Sequence, residues 1–143
     1  LAVLKNTPVG PTIQHMKDQE QEHLDTFNKL LYENDTRPTA LLPLWNVMGF
    51  GLGVASAVMG KKAAMACTIA VEEVIGEHYA KQAESLNDEH KELKSTLMKF
   101  RDDELDHLET GVEHDGENAP GYKIMKAIVQ LGCRTAIKIS EKI

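Results

Sequence analysis

From Gly10 onward apolar side chains return every three to four residues, at Ile13, Met16, Leu24, Phe27 and Leu31, and Glu20 falls on the same stripe. That step is the period of one helical face. Pro11 suits a first turn, where its missing N–H is not needed, and residues 34–38, from Asn34 to Pro38, end the pattern. Residues 38–60 follow another rule, with no charge anywhere and Pro43, Trp45 and four glycines among them. The spacing predicts a third helix from Lys61 to about Leu86 and a fourth from Glu89 to about Val112, with Asn87-Asp88 as stop and cap between them. Residues 113–119 are polar. A last, amphipathic helix is predicted from Pro120 to the C-terminus, with Ile124, Ile128, Leu131, Thr135 and Ile139 on one face and Arg134, Lys138 and Lys142 on another. No alternating stretch competes, so the expected class is all-α.

Chemistry enters through a repeated signature. Glu20-Gln21-Glu22-His23 and Glu104-Leu105-Asp106-His107 each place a Glu three residues before a His, which puts both side chains on one helical face. With 14 glutamates and six histidines in 143 residues, chance alone would supply about 0.6 such pairs, so position must carry the weight. Glu20 and His23 lie on the stripe of Ile13, Met16, Leu24 and Phe27. Glu104 and His107 lie on that of Leu93, Leu97, Phe100 and Gly111. Glu72 shares a stripe with Thr68, Ile75 and Tyr79, whereas Glu73 groups with Glu77, Lys81 and Glu84 on a face expected to be solvated. Carboxylates at core positions with no Lys or Arg on their stripes need another source of positive charge. A metal bound by Glu20, His23, Glu72, Glu104 and His107 supplies it, and mixed carboxylate and imidazole ligands suit iron or manganese. The competing readings are a single buried histidine satisfied by hydrogen bonds, or an acid that points outward because the helix phase differs.

A single Glu followed 32 residues later by Glu-x-x-His makes up the second half of this set. If the first half copies it, the matching Glu is expected about 30 residues before Glu20, upstream of Leu1, and Leu1 to Leu4 are expected to be the last turn of a helix. The uncharged stretch 38–60 is long enough to cross a bilayer, and Gly49, Gly53 and Ala57 form a small-residue ridge suited to helix packing. A single crossing would, however, leave Glu20 and His23 on the opposite side from Glu72, Glu104 and His107. A helix of about 21 residues, roughly 32 Å long, instead serves as the long apolar crossover of a ferritin-like helical bundle. Its surplus apolar surface is either core or a monotopic membrane face.

Composition narrows the rest. The length suits one domain, expected to span residues 1–143. A net charge of -6, with 22 acidic against 16 basic residues, excludes a sequence-independent grip on nucleic acid. Cys67 and Cys133 stand far apart in apolar surroundings and read as buried, reduced thiols.

Several runs carry a resemblance over essentially the whole chain. They are Met16-Lys17-Asp18-Gln19-Glu20 through His23, Pro43-Leu44-Trp45-Asn46-Val47, and Ala64-Met65-Ala66-Cys67-Thr68 leading to Val71-Glu72-Glu73. His78-Tyr79, Phe100-Arg101-Asp102-Asp103-Glu104 through His107, and Leu131-Gly132-Cys133-Arg134 complete the set. In these the chain resembles the demethoxyubiquinone hydroxylase family of ubiquinone biosynthesis. The resemblance implies a ferritin-like di-iron monooxygenase that uses dioxygen to hydroxylate the ring of a long-tailed quinone, with two iron ions at Glu20, His23, Glu72, Glu104 and His107 and NADH as reductant. A sixth ligand, a Glu in the family's His-Ala-Gly-Glu-Tyr motif on the first helix, has no match, so the chain reads as lacking that helix. The resemblance also implies a peripheral protein on the matrix side of the mitochondrial inner membrane, or a bacterial membrane-associated counterpart, and a lipid-carrier partner protein. Tyr79, seven residues after Glu72, sits with His78 either beside the ligands, on an electron and proton route, or simply in the core. Arg134 is a candidate contact for the nucleotide or for lipid headgroups, or a complement to the helix dipole. The alternatives are a metal-binding or iron-storage bundle without oxygenase chemistry, and a truncated inactive form that interacts through its apolar segment.

Overall fold

The computed structural model describes residues 1–143. It contains five α-helices and no strand: α1 (Gly10–Glu33), α2 (Leu42–Val58), α3 (Lys61–Ser85), α4 (Lys91–Glu113) and α5 (Tyr122–Ser140). The expected all-α class therefore holds, and the boundaries move where local chemistry moves them. The crossover helix α2 has 17 residues, fewer than its uncharged stretch allows. Pro43 is tolerated in its first turn but restricts the backbone before it, and Gly60, at φ 112, closes the other end. No helix is long and apolar enough to cross a membrane. Asn87 caps a short 3-10 turn at Asp88–His90 by accepting the Glu89 N–H at 3.2 Å, so α4 proper starts at Lys91. Gly121, at φ 71, delays α5 to Tyr122, since a left-handed residue cannot belong to a right-handed helix.

The chain divides into two compact units. The first comprises Leu1–Lys61 and Thr135–Ile143. In it Trp45 donates its indole N–H to Ser140 Oγ at 2.8 Å, tying α2 to the end of α5. Leu1 to Leu4 make one hydrogen-bonded turn, with the Lys5 N–H on the Leu1 carbonyl. Leu1, Ala2 and Val3 line an apolar cavity of 130 Å³ with Phe50, Gly53, Val54 and Ala57. Two of the three small ridge residues, Gly53 and Ala57, thus line this cavity, while a Cβ on Gly49 or on Gly53 would meet only open space. Much of α2 stays uncovered, with Val47, Phe50 and Val58 about 70% exposed.

The second unit, Lys62–Arg134, has its core between α3 and α4, where Met65, Ala66, Ile69, Ala70, Val74, Leu97 and Phe100 are buried. α5 is fastened to α3 by polar contacts. Gln130 donates to Glu73 at 2.9 Å, Lys126 Nζ lies 2.5 Å from the same carboxylate, and Arg134 reaches Glu77 at 3.2 Å. Glu73 and Glu77 were expected on an open face with Lys81 and Glu84. The polar edge of α5 lies across them, a tertiary contact that helix phase cannot reveal. Only Val129 of α5 is buried, and its stripe of Ile124, Ile128 and Leu131 points outward.

Candidate metal centre

Glu104 and His107 stand on the inner face of α4, one helical turn apart. Their side chains are 1% and 2% exposed, and His107 Nδ1 lies 3.4 Å from Glu104 Oε2. α3 brings Glu72 to them. Glu72, Glu104 and His107 each offer a ligand atom, and these atoms lie within 4.8 Å of one another. Ligands about 2.1 Å from an octahedral ion are roughly 3 Å apart in cis and 4.2 Å in trans, so little tightening would close the cluster on one ion. Two carboxylates and an imidazole nitrogen also form the donor set expected for iron or manganese. The residues fit a metal.

In the first unit, α1 carries the other pair. His23 is buried, with Nδ1 3.7 Å from Glu20 Oε2, while the Glu20 side chain is 47% exposed. Both were expected on the core side, and only His23 is fully there. Three residues advance 300° around a helix, so members of such a pair sit about 60° apart and one can lie at the edge of the covered stripe. Leu24, on the same stripe, is likewise exposed.

Tyr79 lies two turns beyond Glu72, and Phe100 one turn before Glu104. Their rings are 6.3 Å apart and tilted by 53°, an aromatic pair that joins α3 to α4 one turn before Glu104. His78 is half-buried next to it. Arg134, the candidate nucleotide contact, is engaged by Glu77 and by Gln130. Cys67 is buried and Cys133 only half-buried, with no disulfide between them. Burial pushes the Cys133 thiol up, against the opposing pull of Arg134.

Sequence reasoning put Gly111 on the Glu104–His107 stripe without giving it a role, and passed over Gly76. A Cβ on Gly76 would lie 3.8 Å from the Glu104 Cβ, and one on Gly111 would lie 2.7 Å from Ile69 Cγ1. A signal was present, since glycine inside a helix costs about 1 kcal/mol relative to alanine and implies a packing reason.

Over residues 1–140 the chain matches the family described as Ubiquinone biosynthesis protein COQ7. It is 56% identical to the NADPH-dependent 3-demethoxyubiquinone 3-hydroxylase, mitochondrial, of Dictyostelium discoideum, across 100% of this chain and 67% of that protein. The Homo sapiens protein of the same name is 51% identical, over 100% of this chain and 68% of its own length. The 3-demethoxyubiquinol 3-hydroxylase of Rhodospirillum rubrum is 43% identical, with 100% and 68% covered.

Proposed function

The chain belongs to the family of ubiquinone biosynthesis protein COQ7, and we propose that it is a monooxygenase that hydroxylates the ring of demethoxyubiquinone. The observation that carries this reading is the convergence of half-buried Glu72 with buried Glu104 and His107 in the second unit. We read residues 1–143 as one di-iron domain in which Glu20 and His23 complete the ligand set. The support is that the same Glu-x-x-His spacing recurs on α1, and that its histidine is buried as His107 is.

Iron held there supplies the activation of dioxygen that ring hydroxylation requires. The chain's own residues supply the setting. Glu72 and Glu104 concentrate negative charge where cations bind, and packing fixes the direction of the His107 ring. Tyr79 and Phe100 exclude water from one side, which strengthens electrostatic interactions within the site. A reduced nicotinamide is the electron source. The resemblance implies NADH, and the relatives named NADPH-dependent point to the phosphorylated form. The long quinone tail calls for an apolar route to the ring. The exposed apolar faces of α2 and of α5 suit peripheral contact with a membrane surface, and with a lipid-carrier partner. We place the protein on the matrix side of the mitochondrial inner membrane, or at the membrane in a bacterium; the relatives named mitochondrial support the organelle.

The test is anaerobic titration with ferrous iron, followed by a short-tailed demethoxyubiquinone analogue, air, and either NADH or NADPH. Two irons per chain and a product heavier by one oxygen atom are expected. Iron binding without hydroxylation would leave a metal-binding module, and no specific iron would remove the metal reading.

A further inference from the structure

Gly111 lies inside α4, two residues before its end, where a residue with a side chain would serve the helix better. Its surroundings supply the reason. A Cβ there would lie 2.7 Å from Ile69 Cγ1 and 3.1 Å from the Met65 carbonyl oxygen, so the α4 backbone rests directly on the Ile69 side chain and the Met65 backbone of α3. Gly116, just beyond the helix, repeats the contact. A Cβ on it would lie 2.7 Å from Ile69 Cδ1 and 2.8 Å from the Met65 carbonyl carbon.

This contact is in phase with the ligands. Ile69 precedes Glu72 by three residues and Gly111 follows His107 by four, so each is the same-face neighbour of a ligand. On the other side of Glu72 the helices have slack, because a Cβ on Gly76 would make an ordinary 3.8 Å contact with Glu104. The separation of α3 and α4 is therefore at its limit at Gly111 and not at Gly76. Carbon atoms pack at about 3.5–4.0 Å, so a methyl at position 111 must move its neighbours by about 1 Å. Ile69 can turn aside in part, whereas the Met65 carbonyl is backbone. Metal–ligand distances tolerate only about 0.2 Å.

We propose that Gly111 is a positioning residue for the metal centre: by letting α4 seat directly on Ile69 and Met65, it sets the spacing between Glu72 and the Glu104–His107 pair. This rests on the metal reading above and adds a residue that touches neither metal nor substrate.

The test titrates the full chain with Co(II), reading affinity and the visible absorption band, with far-UV circular dichroism as the check on folding. G111A is expected to lose at least tenfold in Co(II) affinity and to change the band while keeping its helicity. G111A/I69A, in which the closest clash is removed while the 3.1 Å approach to the Met65 carbonyl remains, is expected to regain at least threefold of the lost affinity. L97A, a buried cavity variant seven residues from Glu104, is expected to melt earlier yet bind normally with an unchanged band. Parent-like binding by G111A, failure of I69A to restore it, or equal loss in L97A would each overturn the proposal. Should G111A lose its helicity, the double variant decides. Folded and binding, it supports the proposal; folded without binding, it overturns it. A parent that binds Co(II) and loses it in E104Q, alongside an unaffected G111A, overturns this proposal alone. A parent that binds no Co(II) overturns the metal reading and this proposal with it.

Discussion

Glu104 has its carboxylate almost wholly out of water, with a Glu72 ligand atom no more than 4.8 Å away. Two like charges at that distance repel by roughly 3 kcal/mol at an effective dielectric of about 20. A bound cation turns that repulsion into shared attraction. Glu104→Gln keeps shape and removes the charge, so it should weaken iron binding by about 100-fold or more. In the metal-free chain the same change should stabilise by about 1 kcal/mol, because a buried charge is gone. Thermal unfolding with and without a chelator checks both, and a lower melting temperature for metal-free E104Q would contradict the electrostatic account. Opposite effects in the two states separate a ligand from a packing residue, which would lose stability in both.

Among the elements, α5 stands out because polar contacts hold it to α3 while its apolar stripe faces outward. Lys126 beside Glu73 holds that carboxyl below its ordinary value of 4.5, and Glu73 in turn holds the Lys126 amine above its ordinary 10.5. The carboxylate's contribution is complete above 4.5 and fades as pH falls through its lowered pKa. The amine's is complete below 10.5 and fades as pH rises through its raised one. Both groups are partly solvated, so Lys126→Met should cost only about 0.5 kcal/mol at pH 7. The cost should fade as pH falls through the lowered carboxyl pKa and shrink in 1 M salt. Urea melts across the acid range and at both salt concentrations measure it, and a cost that persisted once Glu73 is protonated would mean lost packing of the lysine stem instead. For α2, Val47 is 72% exposed. Val47→Asp should leave the melting temperature within about 1 °C, since Val and Asp have similar helix propensities. It should lower affinity for phospholipid vesicles about tenfold, because a charge then enters the apolar face. Co-sedimentation measures the second effect, and unchanged binding would direct attention to α5.

For the molecule as a whole, metal binding and folding are linked. Iron at 100 times its dissociation constant should add about 2.7 kcal/mol of stability. The distribution of that gain tests the five-ligand set. If Glu20 and His23 join Glu72, Glu104 and His107, hydrogen exchange on iron loading should slow in α1 as well as in α3 and α4. Slowing confined to α3 and α4 would restrict the metal to the second unit. Such exchange reports opening segment by segment, so it distinguishes the two cases where a single melting temperature does not.

The local half of this molecule was legible in the chain. Helix periods, the stop at residues 34–38, the Asn87 cap and the Glu-x-x-His pairs all depend on neighbours within one or two turns, and such interactions are written in spacing. Burial of His23, Glu104 and His107 followed from the apolar stripes they share. What lay beyond reach was decided between helices distant in sequence. Whether an acid such as Glu73 meets water or a lysine depends on which helix lies across it. The outward direction of Ile124, Ile128 and Leu131 follows from the polar grip of α5 on α3, which amphipathicity alone assigns to the wrong side. The role of Gly111 depends on Ile69, 42 residues away, because contact distance between two backbones is a property of the packed pair and of neither helix alone.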